Sequence, residues 1–301
     1  MQSSEAYLEK ALAELNQRVA LCEDDPPSVE LVDALQKRGK ILTLLGYGVS
    51  AAEDFDDAVD VLDTLIEEGT EVSPELCLHT YAAAGTVYRD DEGMMRDYYR
   101  RAAGFIPDLT DRPACARVCL GCAEDLVLIE DYQDAWPFID VALSSRDSAD
   151  RSGRNVYLSA LNLYAEVLFS QERFSEAAKI LNEAVKVAAD LYEKGDLYDN
   201  STYVYSYLNL CDCLQDLRDN EALKANLDTL SALVEEGEIA EHIKPDDLGD
   251  IHGRIGRMYM EIGQVSVAEK HLLRQAAFSL GGTDSMLRDA IVNRMNDRPE
   301  N

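Results

Sequence analysis

The sequence lacks most of what marks catalytic, membrane-bound and nucleic-acid-binding chains. It has no run of about eighteen apolar residues, so no membrane-crossing helix is expected. The opening MQSSEAYLEK has no basic segment followed by an apolar one, so no secretory signal is expected and a cytoplasmic location is the default. There is no G-x-S-x-G, no P-loop and no G-x-G-x-x-G after a strand-like run, which leaves nucleophile-elbow and phosphate-cradle enzymes without their motifs. The histidines are His79, His242, His252 and His271, with no His-x3-His and no Cys at zinc spacing, so no catalytic or metal role is expected of them. Positive charge is scarce: 28 Lys and Arg stand against 58 Asp and Glu, a formal net charge of -30. Phosphates would be repelled, which argues against nucleic acid and anionic membranes as partners and permits a basic protein.

Apolar residues make up 47% of the 301 residues, enough for a sizeable core. The seven cysteines, an odd number in a large chain, read as reduced thiols. Cys115, Cys119 and Cys122 have the spacing C-x3-C-x2-C, which resembles the iron–sulfur motif of radical S-adenosylmethionine enzymes. That motif sits in a loop after a strand. Here the thiols fall at i, i+4 and i+7 of a helical pattern, where free cysteine packs as a small hydrophobe. Core packing is therefore expected, with no metal and no cofactor, and a metal or iron–sulfur site is the remote alternative. Cys211 and Cys213, two apart on a helix, cannot face one ligand together.

Prolines punctuate the rest. Pro26, Pro27, Pro74, Pro107, Pro113 and Pro245 fall between helical patterns, Pro299 lies in the tail, and only Pro137 sits inside a pattern. Between them apolar residues recur every three or four positions, and no strand-like alternation appears. One frame repeats: Ile255-Gly256, Tyr259, Gly263, Val265, Ala268 and Leu272. It can be laid on Leu45-Gly46 with Phe55, Ala58 and Leu62; on Ala84-Gly85 with Tyr88, Tyr99 and Ala102, its turn two residues short; and on Ala123 with Tyr132, Ala135 and Ile139. It also fits Tyr164-Ala165 with Phe174, Ala177 and Leu181, and Leu210-Cys211 with Leu223 and Leu227. Small residues let two helices approach, and the large ones fill what is left. This pattern resembles the tetratricopeptide repeat, over roughly 33–282. The second-helix positions Ala58, Met95, Ala135, Ala177, Leu223 and Ala268 are spaced by 37, 40, 42, 46 and 45, against a family unit of about 34 residues.

The resemblance implies an all-α solenoid of about six helix pairs in a right-handed superhelix, with 1–301 as a single domain. Residues 3–22, with Ser4 as a cap, and residues 284–295 would form end helices. It also implies that first helices line a concave groove. Projected there are Lys40, Thr43, Tyr47 and Ser50; His79, Ala82, Thr86 and Arg89; Arg117, Leu120, Glu124 and Val127; Ser159, Asn162, Glu166 and Phe169; Tyr205, Leu208, Asp212 and Gln215; Asp250, Gly253, Arg257 and Met260. The clamp with which some members hold a chaperone's carboxylate is not reproduced. Glu124, Glu166 and Asp212 would form an acidic ladder suited to a basic segment, with Phe169 and Tyr205 as apolar anchors. The other reading of these acids is a solvated acidic surface. Between Ile41 and Tyr88 stand ten acids and no Lys or Arg, most on the expected second helix of the first pair, where a solvated outer face is expected. The function expected is a non-catalytic interaction scaffold or adaptor binding a protein or peptide. A peptide- or ligand-sensing regulator is the alternative.

Overall fold

Aspartate and proline set the helix boundaries. The carboxylates of Asp91, Asp111, Asp131, Asp150 and Asp199 each accept a backbone N–H in the first turn of the helix that follows, and Ser28 and Ser73 do the same with their hydroxyls. Pro74, Pro113 and Pro245 occupy first turns, where a missing N–H costs no helical hydrogen bond. Pro107 lies in a one-turn 3-10 helix, and Pro137 is inside a helix as expected. Part of the acid excess is thus capping.

The computed structural model describes residues 2–23, 26–235, 238–241 and 243–279, and every regular element among them is helical. The expected helix at 284–295, the tail, His242 and Pro299 lie outside the described residues. Helix α1 (Gln2–Glu23) places Ser4 within its first turn rather than at its cap. Six antiparallel pairs follow: α2 (Val29–Leu44) with α3 (Gly48–Glu67), α4 (Pro74–Val87) with α5 (Glu92–Ala103), and α6 (Arg112–Leu128) with α7 (Tyr132–Leu143). Then come α8 (Arg151–Ser170) with α9 (Phe174–Glu193), α10 (Asn200–Asp216) with α11 (Asn220–Glu235), the short α12 (Glu238–Glu241), and α13 (Pro245–Glu261) with α14 (Val265–Ser279). The chain divides into two compact units, Met1–Ala149 and Asp150–Asn301. Each carries three of the pairs.

The turn inside five of the six pairs is the same. Gly46, Glu130, Glu172, Arg218 and Gly263 are left-handed, with φ between 56° and 83°. The next residue's N–H reaches back to the carbonyl of Leu42, Leu126, Leu168, Leu214 or Tyr259, closing a Schellman turn. Seven residues before each left-handed residue stands a small one: Gly39, Ala123, Ala165, Cys211 and Gly256. Sixteen residues after the small one stands a large buried one: Phe55, Ile139, Leu181 and Leu227, with half-buried Leu272 in the last pair. A methyl group on Gly39 would meet the Phe55 ring at 2.9 Å, and one on Gly256 would meet Leu272 at 2.8 Å. In the second pair Gly85 faces Tyr99, fourteen residues on, which fits the shorter turn.

This register corrects the frame of the first pair. Gly46 is its turn glycine, and Gly39 is the close-approach residue. The expected Leu45-Gly46 pair lies two helical turns too late, so Tyr47 and Ser50 are not on a first helix. Tyr47 precedes α3 and Ser50 lies inside it.

Three acids of α3 hold side chains of neighbouring helices. Arg38 grips buried Asp54 with two nitrogens. Asp56 accepts from Tyr88 at 2.5 Å and from Tyr98 at 2.9 Å. Asp63 accepts from Tyr81 at 2.5 Å and pairs with Arg101.

Candidate partner-binding grooves

In the first unit, α4 packs against both α2 and α6, so the three first helices lie side by side. Their exposed faces and the start of α3 border a trough of about 970 Å³. Lys40 and Thr43 from α2, His79, Ala82 and Thr86 from α4, Arg89 just beyond it and Arg117 from α6 all border it. These are seven of the positions that the repeat frame projected into the groove. Its apolar part includes Leu44, Val49, Ala52, Val118 and Gly121. Leu44 is 68% exposed and Val49 78% exposed, an apolar lip facing solvent. The frame missed Val49 and Ala52 because second helices were expected to turn outward. The available signal was Val49 and Ala52 standing off the stripe of Ala51, Phe55, Ala58 and Leu62 that the helix buries.

Arg89 is anchored. Its Nε donates to Asp125 at 2.8 Å, and Asp125 also accepts from the Tyr99 hydroxyl at 2.5 Å. Glu124, next in the chain, faces outward and does not border the trough. Partial burial and the charge of Asp125 raise its carboxyl above the usual range, and Arg89 works against them. His79 is held below the ordinary imidazole value by burial and then by Lys40. Its buried Nε2 has no hydrogen-bond partner.

The second unit has a smaller hollow of about 260 Å³, bordered by Glu166, Phe169, Asn209 and Asp212. Two members of the expected ladder therefore meet here. Asp212 is engaged by Arg254 of α13, while burial raises both carboxyls above their usual range. Asn162 is structural: its Nδ2 donates to the Leu158 carbonyl and its Oδ1 accepts from Ser206, each at 3.0 Å, tying α8 to α10. Phe169 stacks edge-on against Phe174, centroids 5.0 Å apart. Tyr205 is half-buried on α10, its hydroxyl pushed up by burial and by Asp247 of α13. Arg257 is exposed on α13, and Tyr47 is exposed at the α3 N-cap without bordering the trough.

Cys115, Cys119 and Cys122 are buried in α6, and burial pushes Cys119 up to about 12. Cys211 and Cys213 are buried in α10. No group of three His, Cys, Asp or Glu side chains among the described residues is arranged to hold a metal ion. No described helix is long and apolar enough to cross a membrane.

No family model matches the chain, and no curated protein matches it in sequence. Solved structures do match. RapI in its apo form aligns over 96% of this chain and 85% of its own, with TM-score 0.57 and 12% identity. PilF of Pseudomonas aeruginosa aligns over 87% of this chain and 96% of its own, with TM-score 0.51 and 13% identity. Both are tetratricopeptide-repeat proteins. At such identity the likeness concerns the fold, and it agrees with six helix pairs, five of which share one turn and one small-to-large spacing. The chain has the all-α solenoid fold of the tetratricopeptide repeat, with units longer than usual.

Proposed function

We propose that this protein is a non-catalytic interaction module that holds a segment of a partner protein in the trough of its first unit. The observation that carries this reading is the trough itself: about 970 Å³, built on three packed helices, with exposed Leu44 and Val49 at its lip. Apolar surface gathered in a concavity is the usual mark of a docking site. A preformed helical wall also offers that surface at little ordering cost.

The test places a photocrosslinking residue at Val49, or at Glu183 of the other unit as control, in cells of the source organism. A discrete adduct at Val49 that disappears when Gly121→Trp fills the trough supports the reading. A methyl group at Gly121 meets nothing within 4 Å, so the larger side chain has room to enter without disturbing the core. Identical adducts from Val49 and Glu183, or a Val49 adduct indifferent to Gly121→Trp, would overturn it.

A further inference from the structure

The second-unit hollow of about 260 Å³ lies between α8 and α10. Its floor includes Leu181 and Cys213, both fully buried, so it reaches down to the core. Its rim carries Glu166 and Phe169 from α8 and Asn209 and Asp212 from α10. Asp212 is taken, because Arg254 of α13 holds one of its oxygens. Asp216, one helical turn on, adds negative charge beside it. Glu166 is different. No hydrogen bond or ion pair reaches its carboxylate from any described residue. Partial loss of water raises its carboxyl above the usual range, and no neighbouring charge acts on it. The side-chain amide of Asn209 is likewise unbonded among the described residues. Phe169 stands one turn along α8 from Glu166, is 37% exposed and is braced against Phe174.

From this arrangement we infer that the hollow is a subsite for one cationic side chain, a lysine or arginine presented by a partner protein. The inference concerns the second unit and does not depend on the first-unit trough. The charge balance selects the class of occupant. Asp212 and Arg254 offset each other, which leaves Glu166 as the unbalanced charge, and Asp216 nearby has the same sign. A neutral occupant would strip water from Glu166 and return nothing, and an acidic one would also meet like charge. An ammonium or guanidinium donates charge-assisted hydrogen bonds to Glu166 and a further one to the amide oxygen of Asn209. Its methylene stem lies along Leu181, and Phe169 supplies a ring to the charge. A bare metal ion fits less well. Calcium and magnesium take about six or more oxygen ligands, and no group of three His, Cys, Asp or Glu among the described residues is arranged to hold one. The expected acidic ladder thus reduces to a single acid, since Asp212 is engaged and Glu124 belongs to the first unit.

The test selects random peptides displayed on phage against the full chain and reads the enriched ones by fluorescence anisotropy. Peptides that occupy the hollow should contain Lys or Arg and should bind at least about tenfold more weakly to Glu166→Gln. Replacing that Lys or Arg by norleucine should weaken binding to wild type by as much, yet change binding to Glu166→Gln little, because both changes remove one contact. The Glu166 side chain is exposed and unbonded, so the substitution spares the core, and circular dichroism verifies the fold. No enrichment, no enriched peptide that distinguishes wild type from Glu166→Gln, or losses that simply add in the double change would overturn the inference. Putrescine bound as tightly as the peptides would also overturn it, by assigning the hollow to a free amine. The trough reading stands or falls separately, on Val49 and Gly121→Trp.

Discussion

Gly85 and Gly121 sit on neighbouring helices and respond oppositely to a methyl group. A Cβ on Gly85 would stand 2.4 Å from the ring of Tyr99. Tyr99 cannot retreat, because it is fully buried and its hydroxyl is held by Asp125. Gly85→Ala should therefore cost about 1–3 kcal/mol by overpacking, read from the urea midpoint. Gly121→Ala meets nothing and should stabilise by up to about 1 kcal/mol through helix propensity. Equal effects at the two sites would refute the crossing geometry. His252 and His271 give a second prediction. They touch through Nδ1 at 2.9 Å, with Tyr259 and Phe278 stacked against them and Glu235 at 3.6 Å from His271. Burial and then Arg274 hold His252 at about 4, and burial, then the His252 imidazole and Arg274, hold His271 at about 3, against an ordinary 6.5. An imidazole lowered in the fold supports the fold while neutral. That support is complete above pH 6.5 and is lost as pH falls toward 4, by up to about 1.4 kcal/mol per pH unit for each group. His79 and the raised carboxyls of Glu124, Glu166 and Asp212 remain in a His252→Leu/His271→Leu variant, so the difference in slope isolates the pair. Wild type should lose stability more steeply than this variant between pH 6.5 and pH 5, and parallel slopes would disprove the assignment.

The same turn closes five pairs, but only two of them place glycine at its left-handed position. Glu130, Glu172 and Arg218 take φ of 58°, 58° and 56° with a side chain attached. That conformation costs an ordinary residue about 1 kcal/mol relative to glycine. Glu172→Gly should accordingly raise the unfolding free energy by about 1 kcal/mol, whereas Gly46→Ala should lower it by about as much. Calorimetry on the two variants checks both signs, and a destabilised Glu172→Gly would show that the side chain does more than occupy the turn. These turns explain how much of the sequence was readable. Prolines and the 3.6-residue period located six pairs because they report local chemistry. Register was harder. Gly39 and Gly46 are two helical turns apart, each followed sixteen residues later by a large apolar residue, Phe55 or Leu62. A frame of small and large residues fits both, and only the φ of 83° at Gly46 identifies it as the turn. The border of the trough was legible where the frame was right, as with His79, Arg89 and Arg117, and Lys40 borders it although the frame of its pair was displaced. Its full lining was not, because which residues border a trough depends on three helices packing side by side, and no single stretch of sequence records that.

For the whole molecule the governing quantity is a net charge of -30. Some of the acid is engaged at helix caps, as with Asp91 and Asp111, and on tyrosine hydroxyls, as with Asp56, Asp63, Asp125 and Asp228. Those carboxylates still carry charge, and capping does not cancel it. Self-repulsion of that size disfavours the compact state, and salt relieves it. Raising sodium chloride from about 10 mM to about 150 mM shortens the screening length from about 30 Å to about 8 Å. Exposed pairs such as Arg100 with Asp134 weaken over that range, but each contributes under about 1 kcal/mol. Buried pairs such as Arg38 with Asp54 are screened much less. Repulsion therefore wins, and Tm should rise by a few degrees with salt. Thermal melts over one salt series read the sign directly. A Tm that falls with salt would mean that surface ion pairs, not net repulsion, dominate the electrostatics of this fold.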